Sequence, residues 1–357
     1  MKKIGIIGGG QLARMMILAG TPLGLSFVVL DPSADACAMK LCDNIVAKYD
    51  DLDALKALSA QVDIITFDFE NVPAGTLEQL DAIIYPPICA LATAQDRILE
   101  KSLFQGLNIP TPAFAAIESL DDLEAAFVRI GFPAILKTRC LGYDGKGQAR
   151  ITDAKEGPAA FAALGGKGLI LEECIDFTFE VSMIAARNQN GETVYYPLIK
   201  NKHQQGVLHL AEAPFQDDAL FNEAKVYMNA LLNKLDYIGV LTIEFFVKDA
   251  QLIVNEIAPR VHNSGHLTIE AAITSQFENH LRAILNWPLG ATKMLKPAAM
   301  LNFIGEMPEE TPYLSINDSH YHDYGKEPRI GRKVGHCTIL ADDLDALALK
   351  TPIFFKV

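Results

Sequence analysis

The sequence is short of positive charge. Against 44 Asp and Glu it carries 31 Lys and Arg, a formal net charge of −13. That balance argues against a general binder of nucleic acid or of anionic membranes, which needs a basic face. Any phosphate site must be built from local basic clusters and backbone amides. Paired cysteines are missing as well. Cys37, Cys42, Cys89, Cys140, Cys174 and Cys337 are scattered with no C-x-x-C spacing. This disfavours a zinc site or a disulfide framework and fits a reduced cytoplasm. No apolar run approaches the ~18 residues of a membrane span. Met1-Lys2-Lys3 leads directly into a strand, without signal-peptide architecture. There is no repeat and no low-complexity tract.

What is present is enough apolar material for large cores, 50% of 357 residues, and a length that suggests two or three domains. Residues 1–100 alternate strands (Lys3–Ile7, Ser26–Leu30, Asp63–Phe67) with helices (Gln11–Ala19, Asp53–Ala60, Thr76–Asp81). Such alternation implies a parallel sheet with right-handed crossovers. Asn108-Ile109-Pro110-Thr111-Pro112 breaks the pattern like a linker. Strands with Gly-rich turns follow over 133–151 and 168–175. A hairpin, Glu180–Ala186 with Thr193–Ile199, turns at Asn188-Gln189-Asn190-Gly191, and helices are expected over Asp217–Leu235 and Ile269–Leu285. The reading is α/β and α+β: a Rossmann-like domain (1–100), a larger α+β domain (101–287) and a smaller, basic-punctuated C-terminal module (288–357).

Glu244 and Glu256 lie twelve residues apart, each inside a strand-like run of β-branched and aromatic residues. Such runs should bury both carboxylates, and a buried, unpaired carboxylate is costly. A Mg²⁺ ion, which takes one or two carboxylates plus nucleotide phosphates, would neutralise them. A three-residue loop, Asp249 to Gln251, places Glu244 opposite Glu256 on one face. A two-residue loop would place Asn255 there instead and send Glu256 to the other face. From the hairpin alone, two solvated glutamates remain an equal alternative.

Four further motifs carry charge or glycine. Gly8-Gly9-Gly10-Gln11-Leu12-Ala13, with Asp31 ending the next strand, satisfies the dinucleotide fingerprint. The safer expectation is an anion, most simply a phosphate, on the helix N-terminus, with the Gln11 side chain adding to it. Lys137 ends an apolar strand and needs an anion. The loop Gly142-Tyr143-Asp144-Gly145-Lys146-Gly147-Gln148 after it can close over phosphates but lacks the P-loop spacing. Arg260-Val261-His262-Asn263-Ser264-Gly265-His266 suits a small oxyanion beside a metal. Lys326 through His336 is a basic cluster in an acidic chain and suits a phosphate. The acidic strand exit at Glu172-Glu173-Cys174-Ile175, with Glu180 soon after, is a weaker signal for purine and ribose.

Together these residues, with Phe69-Glu70-Asn71-Val72 and Gly331-Arg332-Lys333-Val334-Gly335-His336, resemble the ATP-grasp superfamily, and within it the 5-(carboxyamino)imidazole ribonucleotide synthase family. The resemblance implies an ATP-grasp fold with a pre-ATP-grasp domain in front and a small module behind. It implies carboxylation of 5-aminoimidazole ribonucleotide by ATP and bicarbonate through carboxyphosphate, in purine biosynthesis. Mg²⁺ would sit on Glu244 and Glu256. ATP would meet Arg97, Lys137, the loop from Gly142 through Tyr143, Asp144, Gly145, Lys146 and Gly147 to Gln148, the backbone of Glu172, Glu173, Cys174 and Ile175, then Glu180, His203, Asn255 and Glu256. Arg260 and His262 would orient bicarbonate and carboxyphosphate, with Asn263, Tyr143 and Asp144 counted among the catalytic residues. Gln11, Leu12 and Glu70 would contact the ribonucleotide, and Lys326, Arg332 and Lys333 its 5′-phosphate. A cytoplasmic homodimer with no nucleic-acid or membrane partner is implied. Ala13 and Leu141 stand where the family usually has glycine.

Other classes compete. A nicotinamide-dependent oxidoreductase rests on the fingerprint and Asp31 but leaves Glu244, Glu256 and the glycine loop without a role. A non-catalytic ATP sensor would have no use for Arg260 and His262. Formyl transfer to glycinamide ribonucleotide and biotin carboxylation would use the same ATP machinery with different loops after the second acidic strand.

Overall fold

The computed structural model describes residues 2–142 and 147–355. The loop residues Tyr143, Asp144, Gly145 and Lys146 lie outside this range. The first sheet joins β1 (Lys3–Ile7), β2 (Ser26–Asp31), β3 (Asp43–Val46) and β4 (Ile64–Phe67) in the order β3-β2-β1-β4, all parallel. β1, β2 and β4 are continuous apolar runs because helices cover both faces. Helix α1 (Gln11–Gly20) turns Leu12, Ala13, Met15, Met16 and Ile17 inward. Its last residue, Gly20, has no room for a Cβ, which would meet the Phe27 ring and Leu281. Helix α2 (Leu52–Ser59) is N-capped by Asp51. The expected helix over Thr76–Asp81 is a single turn, α3 (Ala74–Leu77). Helices α4 (Ile88–Gln95) and α5 (Arg97–Gly106) follow, with Asp96 capping α5.

The second sheet holds β5 (Phe114–Ile117), β6 (Ala134–Thr138), β7 (Gln148–Ile151) and β8 (Leu169–Glu173), antiparallel in the order β5-β8-β6-β7. Helices α6 (Leu120–Ile130) and α7 (Gly157–Ala163) accompany it, and Leu123, Ala126 and Phe127 of α6 pack with Leu136, Ile151 and Leu171 of the sheet.

The third sheet is antiparallel and nine-stranded. It contains β9 (Phe179–Arg187), β10 (Thr193–Tyr195), β11 (Leu198–Gln204), β12 (Val207–Phe215), β13 (Gly239–Lys248), β14 (Gln251–Ala258), β15 (Ala298–Ile304), β16 (Ser319–Asp323) and β17 (Lys333–Leu340). The order is β14-β13-β9-β11-β12-β15-β17-β16, with β10 beside β9. The hairpin partner expected over Thr193–Ile199 is split: Tyr195 pairs with Ala185, and β11 resumes the ladder at Ile199 opposite Ser182. Residues 298–340 extend the sheet that carries β13 and β14, because β15 pairs with β12. A seventeen-residue helix, α8 (Asp218–Lys234), covers one face with Leu220, Ala224, Met228, Leu231 and Leu232.

The helix expected over Ile269–Leu285 is two helices, α9 (Thr268–Ala271) and α10 (Gln276–Ile284). Ala272 is extended, and Ile273 and Thr274 donate to the carbonyls of Lys293 and Ala291. Ser275 then caps α10 through Glu278 N, a Ser-x-x-Glu start that the apolar periodicity had masked. Helices α11 (Glu310–Leu314) and α12 (Leu344–Lys350) complete the chain.

The β13–β14 hairpin departs from the expected three-residue loop. Lys248 pairs with Gln251, so the loop is Asp249-Ala250, with both φ angles positive at 50° and 57°, as a type I′ turn requires. On an unbroken ladder this register would place Asn255 opposite Glu244. A bulge corrects it. Phe245 pairs with Val254, and the next pair is Glu244 with Glu256, leaving Asn255 as the extra residue.

Candidate active site

The three sheets surround one cavity of about 590 Å³. The bulge sets Glu244 and Glu256 side by side in its wall. His262 Nε2 lies 2.8 Å from Glu244 Oε1, and His203 Nε2 lies 4.0 Å from Oε2. Burial alone would raise the Glu244 carboxyl, but His262 first, which also hydrogen-bonds it, and then His203 hold it down at about 2. Glu256 is open to the cavity solvent although it sits deep among protein atoms. That corrects the expectation of two sealed carboxylates. Burial first, then the neighbouring Glu244, raise the Glu256 carboxyl above its usual value. The pair is therefore a site of like-charge repulsion, relieved by a cation. Among the described residues no cluster of three His, Cys, Asp or Glu could hold a metal. A cation here would draw its remaining ligands from phosphate and water. Two carboxylates plus phosphate and water is the donor set that suits Mg²⁺.

His262 is oriented from behind. Ser264 N, which can only donate, lies 3.3 Å from His262 Nδ1, and Ser264 Oγ lies 2.8 Å from it. Ser264 Oγ is 2.8 Å from Ser182 Oγ, which accepts from Asn201 Nδ2 at 3.0 Å. Asn201 N–H donates to Ser182, Ser182 to Ser264, and Ser264 to His262 Nδ1. The ring proton therefore sits on Nε2 and is donated to Glu244. Both ring nitrogens are engaged, one by Glu244 and the other by Ser264. Asn263 lines the cavity, yet its amide exchanges two hydrogen bonds with Asn302 at 3.0 and 2.7 Å. His266 is fully buried behind it among Phe277, Tyr324 and His336.

Arg97, Lys137, Gly142, Gln148, Glu180, His203 and Asn255 line the same cavity. Arg97 Nη2 donates to Gly142 O at 3.2 Å. His203 Nδ1 is 2.7 Å from Glu180 Oε2. Burial lowers the His203 value, but Glu180 and Glu244 outweigh it and the net direction is upward. The anion that Lys137 needs is internal: its Nζ lies 2.9 Å from Glu172 Oε2, which also lies 3.3 Å from Lys101 Nζ. Glu172, Glu173, Cys174, Ile175 and Gly147 are not among the lining residues. There the wall is Ile135, whose Cα pairs with Glu172, together with Phe246. Gly147 has φ +68° and its Cβ would meet Thr138 Oγ1 at 2.8 Å. Leu141 holds a left-handed φ of 64°, the conformation glycine takes freely.

The glycine turn after β1 binds anions, but they are the protein's own. Gly9 N donates to Asp31 Oδ2 at 2.7 Å, and Ser33 N and Tyr49 Oη hold the same carboxylate, each at 2.8 Å. Gly10 N and Ala13 N donate to Asp68 at 2.7 and 3.2 Å. A Cβ on Gly10 would strike Asp68 Oδ2. The expected phosphate is thus replaced by a carboxylate, and Asp31 already accepts from three donors of its own chain. This removes the oxidoreductase reading. Beside it, Gln11 Oε1 accepts from Lys326 Nζ, and Glu70 Oε2 pairs with Arg260 Nη2 at 2.7 Å. Leu12, Arg332 and Lys333 line the cavity too. Asp68, Tyr49, Arg329 and Glu100 are lining residues that the motifs did not indicate. Arg97, Glu100 and Lys101 share one face of α5 at helical spacing, a signal that was present. Burial, then Glu256, push the Glu100 carboxyl up to about 8.

A glycine-bounded loop, a lysine on β6 and paired acidic side chains on adjacent antiparallel strands, behind a parallel α/β domain, define an ATP-grasp enzyme. Residues 102–277 match the ATP-grasp domain family, residues 1–95 the ribonucleotide synthetase preATP-grasp domain and residues 298–350 the phosphoribosylaminoimidazole carboxylase C-terminal domain. The N5-carboxyaminoimidazole ribonucleotide synthase of Pseudomonas aeruginosa is 51% identical over 343 residues, 96% of this chain and 95% of that protein. The Brucella melitensis enzyme of that name is 43% identical, over 94% of this chain and 95% of its own. The crystal structure of the Thermus thermophilus N5-carboxyaminoimidazole ribonucleotide synthetase superposes with a TM-score of 0.95 at 47% identity, covering 99% of this chain and 98% of that one. An Aspergillus clavatus N5-carboxyaminoimidazole synthase in complex with ADP and 5-aminoimidazole ribonucleotide superposes with a TM-score of 0.91 at 28% identity, covering 99% and 98%. The chain belongs to the N5-carboxyaminoimidazole ribonucleotide synthase family of ATP-dependent ligases.

Proposed function

We propose that this protein carboxylates the exocyclic amine of 5-aminoimidazole ribonucleotide with bicarbonate, converting ATP to ADP and phosphate. One observation carries the reading. A single cavity is lined by Glu244 and Glu256 together with Gln11, Lys326 and Arg332. Arg260, leaving β14, lines it too and pairs with Glu70.

A magnesium ion on Glu244 and Glu256 would offset the charge on the transferring phosphoryl group. His262, its proton on Nε2, holds Glu244 in place. Lys137, anchored by Glu172, and Arg97 face the nucleotide phosphates. Ile135 and Phe246 offer an apolar wall to the base, and Glu180 with His203 a polar edge to the ribose. Arg260 orients bicarbonate. A bicarbonate oxygen attacks the γ-phosphorus and ADP departs, giving carboxyphosphate. The amine of the ribonucleotide then attacks its carboxyl carbon, phosphate leaves with the C–O electron pair, and the amine proton is lost. Gln11, Leu12 and Glu70 position the amine, while Lys326, Arg332 and Lys333 hold the 5′-phosphate. The loop around 142–148, with Tyr143 and Asp144, excludes water from the labile intermediate.

The same reading includes a homodimer in the cytoplasm, and sedimentation would check the dimer. ADP release tests the function. It should require the ribonucleotide and bicarbonate together, and release that ignores bicarbonate would contradict it.

A further inference from the structure

Two buried ionisable residues have no part in the chemistry above. Glu100 and Lys101 of α5 are only 3% and 1% exposed. Burying an acid and a base is costly unless each is well bonded, so what they hold is informative.

Both reach the outer edge of β14, the terminal strand of its sheet. Ile257 N donates to Glu100 Oε1 at 2.7 Å, and Lys101 Nζ donates to Asn255 O at 3.3 Å. These groups belong to the two peptide units on either side of the Glu256 Cα. The carbonyl of 255 fixes the plane before it and the amide of 257 the plane after it. With both planes held, the direction of the Glu256 side chain is set. The edge is tied further back by Val254 N to Pro110 O at 2.8 Å and by Thr111 Oγ1 to Val254 O at 3.0 Å. Asn255 between them is the residue that the ladder to β13 leaves out. A bulge at a strand edge exposes backbone groups that the ladder cannot satisfy, and here α5 satisfies them. Lys101 also lies 3.3 Å from Glu172, the carboxylate that anchors Lys137.

We infer that Glu100 and Lys101 are positioning residues: they pin the Asn255 bulge and thereby aim Glu256 at the position facing Glu244. Through Glu172 the same lysine ties the metal carboxylate to the phosphate-facing lysine. This rests on the reading of Glu244 and Glu256 as metal ligands.

The test compares full-length Glu100→Gln, Glu100→Asp and Lys101→Met. Glutamine keeps an Oε1 acceptor at the same reach. Aspartate keeps a carboxyl group but falls short of Ile257 N. Mn²⁺ binding to the ADP complex, followed by electron paramagnetic resonance, is read beside steady-state kinetics and thermal unfolding. Groups that orient a metal ligand typically affect metal affinity about 10–100-fold. Glu100→Asp and Lys101→Met should therefore weaken Mn²⁺ by at least about tenfold, raise the Mg²⁺ needed for half-maximal turnover in step, and leave the ribonucleotide KM within about twofold. Glu100→Gln should bind Mn²⁺ like the wild type. The inference is overturned if Glu100→Gln is as damaged as Glu100→Asp, since the residue would then act through its carboxyl group. It is also overturned if the Asp and Met variants melt early yet bind Mn²⁺ normally, since the pair would then be merely structural. Should Lys101→Met fail to fold, the two Glu100 variants decide the matter. Glu256→Gln is the control: if it too leaves Mn²⁺ binding unchanged, the metal reading itself has failed.

Discussion

Arg260 and Glu70 form an ion pair 2.7 Å long between residues 190 positions apart in the chain. One follows β14 and the other follows β4, so the pair ties the chain after the acidic hairpin to the first sheet. Both side chains are largely buried, at 17% and 29% exposure, so the pair is less screened than a surface one. Glu70→Gln should raise the KM for the ribonucleotide and lower kcat together, each by roughly tenfold, because a charge-assisted bond contributes about 1.5–3 kcal/mol. The KM for ATP should stay near wild type in the same steady-state assay. A change confined to ATP would place the pair elsewhere in the mechanism.

Arg332 lines the same cavity, and its charge acts on Lys326, which bonds Gln11. Arg332→Ala should raise the ribonucleotide KM on the order of tenfold to a hundredfold and leave that for ATP almost unchanged. To the extent that phosphate binding positions the amine, part of the loss passes into kcat. Loss of ATP affinity with normal ribonucleotide binding would assign the basic loop to the nucleotide.

The acidic pair sets a pH dependence. The Glu256 carboxyl is raised by burial and by Glu244. Its contribution to stability is complete below the ordinary carboxylate value of 4.5 and is lost as pH rises through the raised one. Glu244, held at about 2, contributes stability above 4.5 that disappears as pH falls toward 2. In metal-free protein, Glu256→Gln should therefore gain melting temperature relative to wild type as pH increases above 4.5. Mn²⁺ must displace the Glu256 proton, so affinity of the ADP complex should climb with pH and then level off. Affinity independent of pH from 4.5 upward would contradict the assignment.

The serine relay behind His262 gives a spectroscopic expectation. With Asn201, Ser182 and Ser264 all donating toward Nδ1, nitrogen-15 shifts of His262 should report a proton on Nε2. Ser264→Ala should mix the tautomers and lower kcat by roughly tenfold, about one hydrogen bond's worth of ~1.4 kcal/mol. A pure Nδ1–H spectrum in the wild type would reverse the direction of the relay.

Much of this site was legible from residue type and order. The pairing of Glu244 with Glu256, the lysine at the end of β6 and the Arg260 loop all fall where strand patterning placed them. What was hidden depended on contacts distant in sequence. The hairpin register was right for a wrong reason: the loop is one residue shorter than expected and Asn255 bulges to compensate, and the groups that hold the bulge lie on α5. The Gly8–Gly10 turn read as a phosphate site because Asp68, the anion it binds, is 58 residues from Gly10. Lys137 called for an anion, and Glu172, 35 residues on, supplies it. Ser275 and Glu278 did announce a helix start, but the apolar periodicity on either side was stronger.

The most direct test of the account follows an oxygen atom. Bicarbonate labelled with oxygen-18 is supplied with ATP and 5-aminoimidazole ribonucleotide, and the released phosphate is analysed by mass. Attack of bicarbonate on the γ-phosphorus transfers one bicarbonate oxygen to phosphate, so each turnover should yield phosphate carrying a single label. Unlabelled phosphate, formed as fast as ADP, would mean that water and not bicarbonate attacks ATP in this cavity, and would contradict the carboxylation mechanism proposed for it.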